Sequence, residues 1–230
     1  MNQERTGLAE LASQLPPDPM VEAWAADLLE HWAGQAQQEA AAAPEPPRKG
    51  THTPFSLVGV HPSVTQAHEA CKAWLHHIVF KDARPHFLTL SGPTGCGKTH
   101  LARNAKYALA TKCIPCTIVS WAQALADSKS KNAEDELYKL SSARVLIVDG
   151  VGSENTRGDY SRGLSDALLV DIMEKRETRW TMFLTTLTMQ QIANLYSERA
   201  ESRLHRNGSI IVDMSHAQDY SKITNHQYQS

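Results

Sequence analysis

No apolar run in the 230 residues approaches the ~20 that a membrane-spanning helix requires. The start, MNQERTGLAE, carries neither a basic block nor an apolar one, so no secretory signal is visible and the expected location is the cytoplasm, with no membrane partner. Cysteine is scarce: Cys71, Cys96, Cys113 and Cys116 are too few and too scattered for a disulfide scaffold. The CIPC at 113–116 has the spacing of half a metal site or of a redox pair, but no second such pair follows to complete a tetrahedral zinc site. The alternative is small side chains packed at the entrance of a strand. Net charge is slight, −2, and by itself gives no sign of nucleic-acid binding. No internal repeat is present.

The charge that exists is unevenly spread. Residues 1–50 hold three Lys/Arg against eight Asp/Glu, whereas the remainder holds 20 against 17 and ten of the eleven histidines. An acidic arm on a mildly basic body fits a chain that uses one end for a protein partner. Hydrophobic residues make up 41%, enough for a well-formed core and too many for wholesale disorder.

Three segments are expected. In the arm, 1–43, a helix from Met20 towards Ala43 aligns Val21, Trp24, Leu28 and Trp32 in one apolar stripe. The stripe either packs on the protein's own body or docks on a partner, as aromatic anchors on a tethered helix do. PEPPRKG, 44–50, ends the helix as a stiff linker. From 51 to 230 strand and helix alternate. Helices are expected over Ser63–Ile78, through HLARNAKYALATK, over Ala122–Leu140, around Leu164, Leu168 and Ile172, and from TMQQ to His205. Strands are expected at HFLTLS, CTIVSW, RVLIVD, WTMFLTT and SIIVDMS. Thr188 and Gln191 have capping-box spacing. Five apolar strands separated by helices imply an α/β domain, a parallel sheet covered on both faces.

Gly92-x-x-x-x-Gly97-Lys98-Thr99 fills the phosphate-loop pattern between a strand and a helix. The glycines let backbone N–H groups turn towards phosphates, and the helix that follows directs its positive end at the same point. Gly92, Pro93, Thr94, Gly95, Cys96, Gly97, Lys98, Thr99 and His100 form the expected nucleotide-contacting run. Lys98 would reach the terminal phosphates, and the Thr99 hydroxyl and Asp149, at the end of VLIVD, would hold Mg²⁺. Mg–ATP is the expected ligand.

From about Val60 to Tyr220 the chain resembles the AAA+ ATPases of the DnaC/IstB type, bacterial replicative-helicase loaders and their transposition relatives. The resemblance rests on SGPTGCGKTHLA, VLIVDGVG, TRGDYSR, FLTTLTMQQI and SERAESRLHRNG, in that order. It implies a polar sensor at Thr185 or Thr186, with Thr186 the choice, although asparagine is frequent there in the family. It also implies an arginine that reaches a neighbouring subunit's ATP: Arg203 first, Arg199 second, four apart and so on one helix face. It further implies single-stranded DNA contacts from Arg157, Tyr160 and Arg162, and from Lys129 and Lys131. A DnaB-like replicative helicase would be the partner, gripped by the arm, with copies associating side by side. The chain ends some 16 residues after the fifth strand, so no helical lid is expected, as in the short loader-like members.

One position departs from the family. The residue after the Mg-binding aspartate is normally a glutamate that orients the attacking water; here it is Gly150. Weak hydrolysis by an ATP-gated binder, compensation by Glu154 or Asp159, and binding without turnover all remain open. The first predicts that Gly150→Glu raises turnover. Rival functions are an IstB-like transposition helper on duplex DNA, a small-molecule kinase, and an adaptor that sequesters a helicase. SERAESRLHRNG is a poor kinase lid.

Overall fold

The computed structural model describes residues 60–80, 86–153 and 159–220, the side chains of 159–162 and 207 excepted. The arm, with Val21, Trp24, Leu28 and Trp32, the linker 44–50, Glu154 and Arg157 lie outside the described residues.

Five strands form one parallel sheet: β1 (Phe87–Ser91), β2 (Cys116–Ser120), β3 (Val145–Val151), β4 (Trp180–Thr185) and β5 (Ile210–Asp213), in the order β2-β3-β4-β1-β5. The three central strands read as near-continuous apolar runs because both faces are covered: every residue of β1 is buried, as are Val145–Val148 of β3 and Thr181–Thr185 of β4. The edge strands β2 and β5 are only partly buried.

The helices are α1 (Pro62–Phe80), α2 (Lys98–Thr111), α3 (Trp121–Asp127), α4 (Ala133–Ser142), α5 (Asp159–Lys175), α6 (Met189–Leu195) and α7 (Glu198–Leu204), with a 3₁₀ turn at Arg206–Gly208. The chain crosses the sheet one way from β1 to β2 and the other way thereafter. Right-handed crossovers therefore put α2 on the face opposite α3–α7. α1 packs with α2, β1 and β5, burying Val64, Ala67, Cys71, Trp74, Leu75 and Ile78. On the other face Trp121, Leu169, Ile172, Ile192, Ala200 and Leu204 share one core with Leu146, Val148 and Phe183.

The expected helix over Ala122–Leu140 is two helices. Ser120 caps α3, its hydroxyl accepting from the Gln123 N–H at 3.2 Å, so Trp121 opens the helix instead of closing β2. The helix stops at Asp127 because the polar run that follows bonds locally. The Ser128 hydroxyl donates to the Leu125 carbonyl at 2.9 Å, and the Asn132 N–H donates to Ser130 Oγ at 3.2 Å. The Thr188–Gln191 capping box forms as its spacing predicts, with both reciprocal bonds present.

A cation organises the far end of the sheet. Arg176, just after α5, is fully buried, and its Nη1 donates to the carbonyls of Leu140, Ser141 and Ala143 at 2.7–3.1 Å. Its Nη2 donates to the Trp180 carbonyl and its Nε to Thr181 Oγ1, each at 2.8 Å. Arg179 Nη1 donates to the Ser142 carbonyl at 3.0 Å. These are the carbonyls that the end of α4 leaves without helical partners, at the negative pole of its dipole. Burial, with Arg179 nearby, lowers the Arg176 pKa to about 10, so the group stays charged at neutral pH.

The two cysteines of the CIPC segment differ in their surroundings. Cys113 is exposed with φ +55°, so it is not packed at the strand entrance as expected. Cys116 is half-buried, and burial pushes its thiol up to about 11, leaving it protonated at neutral pH. No group of three or more His, Cys, Asp or Glu side chains among the described residues could hold a metal ion. No helix among them is long and apolar enough to cross a membrane.

Candidate nucleotide site

The adjacent strands β3, β4 and β1 end side by side, and their carboxyl ends open into a cleft of about 330 Å³. Its lining includes Thr94, Gly95, Gly97, Lys98, Thr99 and His100 from the loop after β1 and the start of α2, Asp149 and Gly150 from β3, and Thr185 and Thr186 at the end of β4. Ligands of open parallel sheets bind at this end of the strands. α2 starts at Gly97 without a side-chain cap and without an acidic residue in its first turn. No cap or acidic residue of the helix itself therefore competes for its positive end, which faces the loop.

Lys98 is buried, and its ammonium donates to the carbonyls of Gly92 and Pro93, both at 2.7 Å, with Cys96 Sγ at 3.5 Å. The loop thus curls around its own cation. The Thr99 hydroxyl donates to Asp149 Oδ2 at 2.9 Å, joining two groups 50 residues apart. A hydroxyl and a carboxylate converging at the end of a phosphate loop are the all-oxygen donors Mg²⁺ prefers, so these residues fit the ion.

The loop's outer side is strapped. Gly95 has φ +80°, which favours glycine, and a Cβ built there would lie 1.8 Å from Asp219 Oδ1, so any side chain would have to displace that carboxylate. The Tyr220 N–H donates to the Gly95 carbonyl at 3.0 Å, and Tyr220 Oη accepts from the His61 N–H at 2.6 Å. The Met214 N–H donates to the Ser91 carbonyl at 2.7 Å. Sequence reading missed this strap, since only folding brings Tyr220 to the loop.

Of the two sensor candidates, Thr185 is committed: its hydroxyl donates to the Val151 carbonyl at 2.7 Å and accepts from the Leu187 N–H at 3.0 Å. Thr186 is exposed at the cleft.

Gly150 is more than a missing glutamate. β3 slips in register between Asp149 and Val151, and Gly150 sits in that bulge with φ +83°. Its carbonyl accepts from the Ser153 N–H at 3.0 Å, and a Cβ built on it would lie 3.2 Å from Ser153 Oγ. The expectation that Gly150→Glu restores a water-orienting carboxylate is revised accordingly, because a side chain is strained there. Asp149 is the one carboxylate lining the cleft among the described residues.

Arg203 and Arg199 are brought together, away from the cleft. Both donate from Nη2 to Glu174 Oε1 of α5, which sequence reading also missed, for no local spacing links residues 25 and 29 apart. Arg203 borders a crevice with Phe87, Met173 and Arg206. The hydrogen bond from Arg199 and the charges of both guanidiniums hold the Glu174 carboxyl below the usual carboxylate range.

Of the DNA candidates only Lys129 and Lys131 have described side chains. Lys129 and Lys131 are exposed in the α3–α4 turn, but Glu134, Asp135 and Glu136 follow in the first turn of α4, so that corner is not basic. Tyr160 and Arg162 belong to the start of α5.

Comparison with known proteins places this geometry. Solved structures with the same fold include DnaI, with 20% identity over 73% of this chain and 88% of that one, at a TM-score of 0.57. AMPPCP-bound DnaA from Aquifex aeolicus gives 17% identity over 80% of this chain and 56% of that one, TM-score 0.58. The replication initiator DnaA bound to AMPPCP and single-stranded DNA gives 20% identity over 64% and 45%, TM-score 0.53. The chain spans about half the length of the DnaA structures it resembles, and at these identities the likeness is one of fold. No curated protein sequence matches. Residues 88–207, just over half of the sequence, match the ATPase family associated with various cellular activities, and the chain belongs to that AAA family.

Proposed function

We propose that the chain is an ATP-gated, helicase-loader-like protein of DNA replication. It would bind Mg–ATP in the β3–β4–β1 cleft, associate side by side, contact single-stranded DNA, and deliver or hold a DnaB-like replicative helicase through residues 1–43. The observation that carries the reading is the pairing of a complete phosphate site with an arginine cluster that lies outside it. Lys98, Thr99 and Asp149 converge in the cleft, while Arg203 does not line it, which supports a role on a neighbour's nucleotide. The fold shared with DnaI and with a DnaA bound to single-stranded DNA supports the replication setting.

Bound Mg–ATP would supply the phosphoryl group and the charge that the site must neutralise. The chain's part is to cradle phosphates with the loop and Lys98, to hold Mg²⁺ through Thr99 and Asp149, to read the terminal phosphate with Thr186, and to offer Arg203 to a neighbour. With glycine built into position 150, hydrolysis is slow, and ATP acts chiefly as the ligand that holds an assembly together. DNA contact is assigned to Arg157, Tyr160 and Arg162 in preference to Lys129 and Lys131, whose surroundings are acidic.

The test mixes the full chain with its host's replicative helicase, ATP and Mg²⁺, and reads the mass by light scattering. The reading expects a stoichiometric complex that is lost when residues 1–43 are removed. No complex, with ATP binding verified, would replace it with the transposition-helper reading.

A further inference from the structure

We infer that Glu174 is the positioning residue of the arginine site, holding Arg203 against its own subunit until a neighbour's phosphate takes it. This rests on the in-trans role proposed above for Arg203. Three observations carry it.

Arg203 is folded inwards: its side chain is 12% exposed against 62% for Arg199, although both bind the same oxygen of Glu174. An arginine in that pose cannot enter another subunit's cleft without leaving Glu174. The inward pose is also incompletely satisfied. Arg203 meets Glu174 through Nη2, and its Nε is buried with no acceptor. A guanidinium has five N–H donors in a planar fork, and a phosphate offers more acceptors to that fork than one carboxylate oxygen does. Finally, the exchange leaves no carboxylate stranded. When Arg203 departs, Glu174 keeps Arg199, four residues earlier on the same helix face. Two cations on one oxygen make release easier than it would be from an exclusive pair, because an ion left without its partner is the main penalty in breaking one.

The arrangement makes Arg199 and Glu174 act with opposite signs. Neutralising Glu174 removes the competitor for Arg203 and favours side-by-side association. Removing Arg199 leaves Glu174 to Arg203 alone and opposes it. Residues with a merely structural role in packing α7 on α5 would both weaken assembly when replaced.

The experiment is sedimentation of the full chain with Mg–AMPPCP, comparing wild type, Glu174→Gln, Arg199→Ala, the double variant and Arg203→Ala, with AMPPCP affinity measured in parallel on dilute protein. Glu174→Gln should associate about two- to fivefold more tightly than wild type and Arg199→Ala about two- to fivefold more weakly, the range expected of partly exposed ion pairs. AMPPCP affinity of the dilute protein should be the same in all. In the Glu174→Gln background Arg199→Ala should have no further effect, since Arg199 acts through Glu174. A Glu174→Gln chain that associates more weakly, or an Arg199→Ala loss that persists in the double variant, overturns the inference while leaving the role of Arg203 intact. An Arg203→Ala chain that binds AMPPCP and assembles like wild type shows that the in-trans reading has failed, and the inference falls with it. So does a wild type and a Glu174→Gln chain that both stay monomeric.

Discussion

Two largely buried arginines, Arg176 and Arg203, have opposite fates. Arg176, after α5, gives its guanidinium to carbonyls of Leu140, Ser141, Ala143 and Trp180 and to the Thr181 hydroxyl. Arg203, on α7, shares a single carboxylate oxygen with Arg199 and keeps its Nε unbonded. The first has its donors distributed over the chain's own backbone, so moving it would expose several orphaned carbonyls at once. The second can move and leave behind a carboxylate that still has a partner. Saturation of donors, rather than burial, separates the arginine that builds the fold from the one that is free to act between molecules.

The sharpest way to break the comparison is Arg176→Ala. It should lower folding stability by about 3 kcal/mol or more, since a buried cation is lost and its acceptors are left dry. Chemical denaturation would read this as a fall in midpoint at unchanged slope. An unaltered midpoint would mean that water replaces the guanidinium and that saturation is not the relevant difference. Next in size is Gly150→Glu, which tests whether the end of β3 is locked in the same way. A side chain at φ +83° should cost about 1–2 kcal/mol of stability, and turnover should not rise. A rise in turnover without loss of stability would show that the bulge relaxes. Smallest is Arg203→Ala, expected to change stability by less than ~1 kcal/mol, because the pair it breaks is shared and its unbonded Nε disappears with it. A loss as large as that of Arg176→Ala would make Arg203 a second structural cation.

What was legible in the sequence follows the range over which each feature is specified. The phosphate loop, the capping box at Thr188 and the fully buried central strands are written in contiguous residues, so a pattern of glycine, threonine or valine reports them directly. Thr99 and Asp149, 50 residues apart, could still be paired because each closes a readable sequence motif, GPTGCGKT and VLIVD. Arg176 could not: three of its acceptors are backbone carbonyls more than 30 residues upstream, and carbonyls carry no residue signature. Glu174 went unseen for the same reason of distance. At position 150 the sequence displays glycine but not its φ, and the same letter serves a lost glutamate or a bulge that forbids one. The break after Asp127 was hidden by apolar residues that match one long helix if the serines between them are ignored.

The strap across the phosphate loop also has a topological consequence. His61 and Tyr220 are 159 residues apart along the chain and one hydrogen bond apart in space, and Tyr220 bonds Gly95 of the loop as well. The body of the protein is therefore almost a closed ring, clasped at the nucleotide site. Such a ring can be opened elsewhere. A circular permutant that joins the two sides of the clasp and places new ends in the exposed turn around Lys131 would be expected to keep the fold. Conversely, a displacement of His61 or Tyr220 acts on the clasp, and through Gly95 on the loop that grips phosphate.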